Sequence, residues 1–272
     1  MLKSFINLDS GLRDKTNFPN PFNYTVVENQ VETWMKIGGC RNVEVVDAKI
    51  EKLSIPYPRT ELFATQFVEV ESVSTTDFTC VAHGLIPNDI IECIIQPLNT
   101  TAVYANVQYV VLGAGHTADV FRIAAIGDTT AINIGATFNF GGKNRLRFAV
   151  VDATINAAVA TARDILKVPQ IFVDIHCRSY NDNDLIDTIG GKVRSAKFVI
   201  HTNSTKIQND EYGSPVWIHY DCDMIQTLRY RKNECLNVRL CDRNGKIIDI
   251  YPEAPTDDNP LKQLLITMSL SW

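Results

Sequence analysis

No window of the 272-residue sequence approaches the ~20 consecutive apolar residues of a membrane-spanning helix. The seven cysteines, at positions 40, 80, 93, 177, 222, 235 and 241, form no Cys-x-x-Cys pair, and an odd, scattered set does not make a disulfide framework. They are expected to be reduced, mostly buried thiols of a reducing compartment. The opening Met1-Leu-Lys-Ser-Phe-Ile-Asn-Leu-Asp9 has too short an apolar stretch for a secretory leader, and none is expected. An excess of charge is also lacking. With 26 Lys+Arg against 31 Asp+Glu the net charge is −5, too acidic for a general nucleic-acid coat. A chain that is 45% apolar and 21% charged is neither disordered nor membrane-embedded.

What the sequence does have is β-branched residues. Val, Ile and Thr number 24, 27 and 22, about 27% of the chain, and such side chains suit pleated surfaces better than helices. Residues 1–22 read as an extended N-terminal arm, because Pro19 and Pro21 block helix and sheet pairing, and Phe22 to Val27 begins a strand. From Arg41 to Pro56 apolar residues recur with period two and one slip near Lys52, which predicts a long bulged strand closed by Pro56-Tyr-Pro58.

Between 69 and 145 the texture changes to short strands at Phe78–Val81, Ile90–Ile95, Val107–Leu112, Val120–Ile123 and Thr137–Phe140, and charge almost vanishes between Cys93 and Asp119. This segment is expected to be a small inserted β domain. One amphipathic helix is predicted over Ile155–Leu166, capped by Thr154 and stopped by Pro169. Strands resume at Ile171–Cys177, Ala196–His201, Val216–Asp221, Leu236–Leu240, Ile247–Tyr251 and Leu264–Leu270, with Asn244-Gly245 as a tight hairpin turn. The expected fold class is therefore all-β: a single jelly-roll sandwich built from 23–68 and 146–272, with the inserted domain 69–145 projecting outward.

Chemistry is sparse. His83 has no Ser, Cys or carboxylate motif near it and makes no triad, so its ring is expected to close the Ala82-His-Gly-Leu85 turn. His176-Cys177 and His219-Tyr-Asp-Cys222 offer soft metal ligands, but their spacing puts them on opposite strand faces. Asp221-Cys-Asp223 places two carboxylates on one face and could hold a divalent cation, and Arg229-Tyr-Arg-Lys232 has the composition of a phosphate-contacting patch. In an acidic chain that patch reads first as a solvated face or a subunit rim. Gly38-Gly39, Gly113-Ala-Gly115, Gly141-Gly142 and Gly190-Gly191 lack the Lys-Ser/Thr of a phosphate cradle and read as turns. No catalytic residue, cofactor or metal is expected, and the chain is not expected to be an enzyme.

Two sets of residues carry a resemblance. The succession Ile6-Asn-Leu-Asp-Ser-Gly-Leu-Arg-Asp14, Asn20-Pro-Phe-Asn-Tyr24, the strand ending in Ser54-Ile-Pro-Tyr-Pro58, and Leu236-Asn-Val-Arg-Leu-Cys-Asp-Arg-Asn-Gly245 resembles the penton and minor capsid proteins of large double-stranded DNA viruses and their virophages, which are single jelly rolls. The second set is Thr76-Asp-Phe-Thr-Cys-Val-Ala-His-Gly-Leu85, Asn88-Asp-Ile-Ile91, Val107-Gln-Tyr-Val-Val111 and Ala118-Asp-Val-Phe-Arg-Ile123. It resembles a small β module of phage and virus structural proteins, with Asn88-Asp89 where Gly-Asp is commoner.

Together the resemblances imply a virion structural protein, assembled in the host cell. The expected role is a penton whose homo-pentamer closes the five-fold vertices among double-jelly-roll hexons of the major capsid protein and minor capsid proteins. No direct nucleic-acid contact is expected. The alternatives are an internal minor capsid (cement) protein, or a vertex protein whose insert binds a host-surface receptor or glycan.

Overall fold

The structure, a computed structural model, describes residues 3–26, 45–96, 102–140, 145–177, 198–202, 206–211, 213, 215–229, 236–251 and 260–271. Strands β1 (Lys3–Asp9), β2 (Asn23–Thr25) and β3 (Val45–Pro56) come first. There follow β4 (Phe67–Val70), β5 (Ser72–Ser74), β6 (Asp77–Thr79), β7 (Ile90–Ile95), β8 (Gln108–Leu112), β9 (Val120–Ala125), β10 (Thr137–Asn139) and β11 (Leu146–Val151). Helix α1 (Ala153–Leu166) leads to β12 (Gln170–Cys177), β13 (Phe198–His201), β14 (Lys206–Asn209), β15 (Pro215–Tyr220), β16 (Ile225–Arg229), β17 (Leu236–Cys241) and β18 (Leu265–Ser271). The described chain is all-β in class, with antiparallel sheets and one α-helix. Among the described residues no helix is long and apolar enough to cross a membrane.

Two compact units emerge. The first comprises Met1–Tyr57, Ala162–Asn209 and Pro215–Trp272, and the second Pro58–Thr161 with Asp210–Ser214. In the first unit one sheet has the order β1-β18-β3-β15-β14, with β16 also on β3, and the other has the order β13-β12-β17-β2. β15 pairs with Leu53–Pro56 and β16 with Val45–Lys49, so the two lie end to end along β3 as halves of one interrupted strand. β3 follows its predicted slip. Ala48 and Ile50 are buried before the irregularity and Leu53 and Ile55 after it. The partner register jumps from Thr267↔Lys52 to Met268↔Ile50, leaving Glu51 as the extra residue, and this bulge keeps both apolar sets on one face. The sheets are tied where the buried Tyr24 hydroxyl on β2 donates to the Leu8 carbonyl on β1, 3.1 Å away.

The segment expected as an extended N-terminal arm over residues 1–22 is paired within its own chain. Lys3–Asp9 pairs along its whole length with Leu265–Ser271, and Ile6, Leu8 and Phe22 are buried. The Phe-Ile-Asn-Leu alternation is short, and its partner is the far end of the chain, so nothing local announces it. Other departures are smaller. Ile247–Tyr251 makes one bridge, Cys241↔Ile247, rather than a strand. Only Gly245 of the Asn-Gly pair takes a positive φ (76°), and Asp242 N–H bonds Lys246 O while Gly245 N–H bonds Asp242 O, a three-residue loop instead of a two-residue turn. Helix α1 starts earlier than predicted because Asp152, not Thr154, caps it by accepting from the Ile155 N–H at 2.7 Å.

The second unit is a closed barrel. Its sheet runs β10-β5-β6-β9-β8-β7-β11-β4, and β4 and β5 are separated by Glu71 alone. Glu71 is bonded on both sides, its N–H donating to Thr79 O and its carbonyl accepting from the Phe140 N–H, so β4 and β5 are two halves of one bent strand and the path returns on itself. Closure explains why the unit is wider than the expected 69–145. It needs β4 and β11, whose Val68, Val70, Leu146 and Phe148 are in its core. Phe78, Phe121, Phe148 and Tyr109 fill the centre with ring centroids 5.5 to 6.3 Å apart.

Candidate functional site

The residues singled out for chemistry are dispersed. His219 Nδ1 lies 2.9 Å from Ser54 Oγ and Nε2 2.8 Å from Gln208 Oε1, while the buried Cys222 thiol faces Val199 O. Burial, then the Lys52 cation, holds the His219 imidazole below its ordinary range. Asp221 pairs with Lys206 at 2.9 Å and Asp223 is exposed. Buried His176 has Nδ1 3.1 Å from Asp174 Oδ1, close but misaligned for a hydrogen bond; the Cys177 side chain lies outside the described residues. Among the described residues no three His, Cys, Asp or Glu side chains are close enough to share a metal ion. The Arg229–Lys232 side chains and Gly38-Gly39, Gly141-Gly142 and Gly190-Gly191 also lie outside the described residues. Gly113 and Gly115 turn the chain from β8 to β9. A Cβ at Gly115 (φ 80°) would sit 2.7 Å from the Arg122 guanidinium, which bonds Asp77.

Both motif sets do structural work. In the barrel the His83 ring is 6% exposed; the Leu85 N–H donates to its Nδ1 and its Nε2–H donates to Thr117 O, each at 3.0 Å. Two backbone partners fix one neutral tautomer and close the turn, as the sequence suggests. His116 stands edge-on to His83 at 5.2 Å and bonds Leu85 O. Asn88 has φ 74°, so it takes the left-handed conformation a glycine would otherwise supply, and Asp89 accepts from the Ile86 N–H.

In the first unit the N-terminal motif forms a latch that sequence reasoning missed. Arg13, 5% exposed, donates from Nε to Phe18 O (2.7 Å), from Nη1 to Ser10 O (2.7 Å) and Gln263 Oε1, and from Nη2 to Pro19 O (3.1 Å). Ser10 Oγ donates to Gln263 Oε1 and accepts from the Leu264 N–H. Asn20 donates to Ile248 O and accepts from the Phe22 N–H, and buried Tyr251 donates to Pro56 O. Ser10, Arg13 and Asn20 are thereby bound to Gln263 and Leu264, just before the last strand, and to Ile248 of their own chain.

No family model, curated protein or solved structure matches the chain.

Among the described residues the barrel carries a concave feature. At the barrel seam a cleft of about 310 Å³ is lined by Glu69, Val70, Glu71, Phe140 and Arg145. Glu69 and Glu71 share the outer face of the bent strand, and Arg145 Nε lies 3.7 Å from Glu69 Oε1 with both side chains about half exposed. Phe140 is backed by Phe138 at 6.4 Å, nearly parallel. Burial, followed by the Glu71 charge, raises the Cys80 thiol above the ordinary range. These residues are some 70 positions apart in sequence and meet only through barrel closure.

Proposed function

We propose that this chain is a structural protein of an icosahedral DNA virus, the penton, and that it acts by forming a pentamer that closes the five-fold vertices. The observation that carries this is strand order. Counting β15 and β16 as one strand and leaving aside the short β14, the eight strands of the first unit run β1-β18-β3-β15/16 in one sheet and β2-β17-β12-β13 in the other. By position along the chain that is 1-8-3-6 and 2-7-4-5, the order that folding two nested Greek keys into a jelly roll generates. The barrel occupies the connection between the third and fourth of these strands, where a guest module interrupts no pairing.

On this reading the partners are four further copies, the double-jelly-roll hexons and minor capsid proteins, and the site of action is the capsid vertex. The chain has no catalytic task there. Its latched N-terminal segment orders its own subunit first, so contacts with neighbours fall to the surfaces outside that latch. The test is the solution mass of the purified protein by sedimentation or light scattering. Five times the 30.5 kDa chain is expected, and a monomer or trimer overturns the assignment.

A further inference from the structure

We propose that the seam cleft of the barrel is a binding site for a neutral saccharide, a pyranose whose apolar face rests on Phe140 while adjacent hydroxyls are held by Glu69, Glu71 and Arg145. This goes beyond the capsid role and stands on different residues. A sugar ring offers an apolar face of C–H groups and a rim of hydroxyls that both donate and accept. The cleft offers the complement: a half-buried aromatic wall, two carboxylates that only accept and a guanidinium that only donates.

Charge narrows the class. Two carboxylates against one guanidinium leave the lining with one net negative charge, which disfavours sialylated or sulfated sugars and suits a neutral ring. Size narrows it further, since about 310 Å³ is at the small end for ligand pockets and fits a terminal residue better than a long oligosaccharide.

The lining is also held in place before a ligand arrives. Glu69 is in register with Arg147 on β11, and the Glu71 backbone is bonded to Thr79 on one side and Phe140 on the other. The Phe140 ring packs against the barrel core with Phe138 behind it. Arg147 stacks over Phe67 at 4.3 Å, extending the same outer face of alternating aromatic and charged groups. The backbone of the cleft is thus set before binding while its exposed carboxylates and guanidinium must still be ordered, and an open cleft of this size limits affinity to the millimolar range.

The experiment is saturation-transfer NMR and calorimetry on the full chain with methyl β-D-galactopyranoside, methyl α-D-mannopyranoside, N-acetylneuraminic acid and n-butylammonium, each to ~20 mM. At least one neutral glycoside is expected to bind through its ring C–H face. Glu71→Gln and Arg145→Met, both at exposed positions, are each expected to weaken it about tenfold without changing the unfolding temperature. Phe140→Leu is expected to remove the ring-face signal; if that variant does not fold, the two polar variants decide. Absence of binding by both glycosides overturns the proposal, as does binding indifferent to Glu71 and Arg145. Binding of n-butylammonium or N-acetylneuraminic acid in place of the glycosides overturns it as well. Oligomeric mass is untouched by these substitutions, so failure here is distinguishable from failure of the penton assignment.

Discussion

The Arg13 latch gives the strongest stability prediction, because its geometry fixes what truncation leaves behind. Arg13→Ala removes a guanidinium that is 5% exposed and strips donors from three carbonyls and the Gln263 amide oxygen. Phe18 O and Pro19 O are only partly buried and can take water in exchange. Buried Ser10 O keeps the Arg13 backbone N–H and buried Gln263 Oε1 keeps the Ser10 hydroxyl, so neither is orphaned, but each loses a charge-assisted hydrogen bond of roughly 1.5–3 kcal/mol. Relief from desolvating the cation offsets part of this, leaving a net loss of about 3 kcal/mol. For urea slopes of roughly 1–3 kcal/mol per molar, the unfolding midpoint should fall by about 1–3 M.

Tryptophan fluorescence isolates the right unit, since Trp217 belongs to the two-sheet unit and residues 58–161 and 210–214 contain no tryptophan. Arg13→Lys should recover little, because one ammonium cannot span a fork of acceptors. Exposed Thr16→Ala on the same segment should shift stability by less than about 0.5 kcal/mol. An Arg13→Ala midpoint within about 0.3 M of the parent, at matched protein concentration, would refute the latch as a buried anchor.

Two further outcomes concern the barrel and the pH response. Asn88→Gly should be within about 0.5 kcal/mol of the parent, since either residue accepts φ 74°, whereas Asn88→Val should cost about 1–3 kcal/mol; calorimetric unfolding of the barrel checks both. His83→Ala should lower the same transition by about 2–3 kcal/mol, through the stranded Leu85 N–H and Thr117 carbonyl and the lost ring contacts. His219, held neutral by burial and the nearby Lys52, binds fewer protons folded than unfolded below its ordinary value of 6.5. Its stabilisation is thus complete above that value and lost as pH falls through the depressed folded one. Fluorescence-detected urea midpoints should decline from about pH 7.5 to about pH 5, less so in His219→Gln, and an identical pH profile for that variant would count against the assignment.

Local signals carried far in this chain. β7 spans Ile90–Ile95 as the sequence predicts, the bulge in β3 sits beside Lys52 where the apolar period slips, and α1 ends before Pro169. What was illegible is long-range. β1 becomes a strand only through residues 265–271, and β14 has four exposed residues whose partner β15 supplies the whole reason for its pairing. Arg13 reads as an ordinary loop cation, since nothing in its neighbourhood names Gln263 as the acceptor 250 positions away. The seam cleft is hidden for the same reason, since only closure brings the Glu71 backbone between Thr79 and Phe140, the latter some 70 positions away in sequence. His83 is the counterexample, because its partners Leu85 and Thr117 belong to the motif itself or its adjacent loop and the structural role could be read directly.

The barrel unit is held where its first and last long strands meet. Within the barrel unit the Val150 N–H donates to Gln66 O at 3.0 Å, and β4 pairs antiparallel with β11 from Phe67↔Ala149 onward. Gln66 and Val150 thus lie side by side, one ladder step beyond that pairing, and a pairing between segments some 80 residues apart closes a long loop whose entropy cost grows only with the logarithm of its length. The barrel unit has its own core, since its buried cluster lies wholly between Val68 and Phe148. The latch and the seam cleft share no residue, so separate variants of one chain test them.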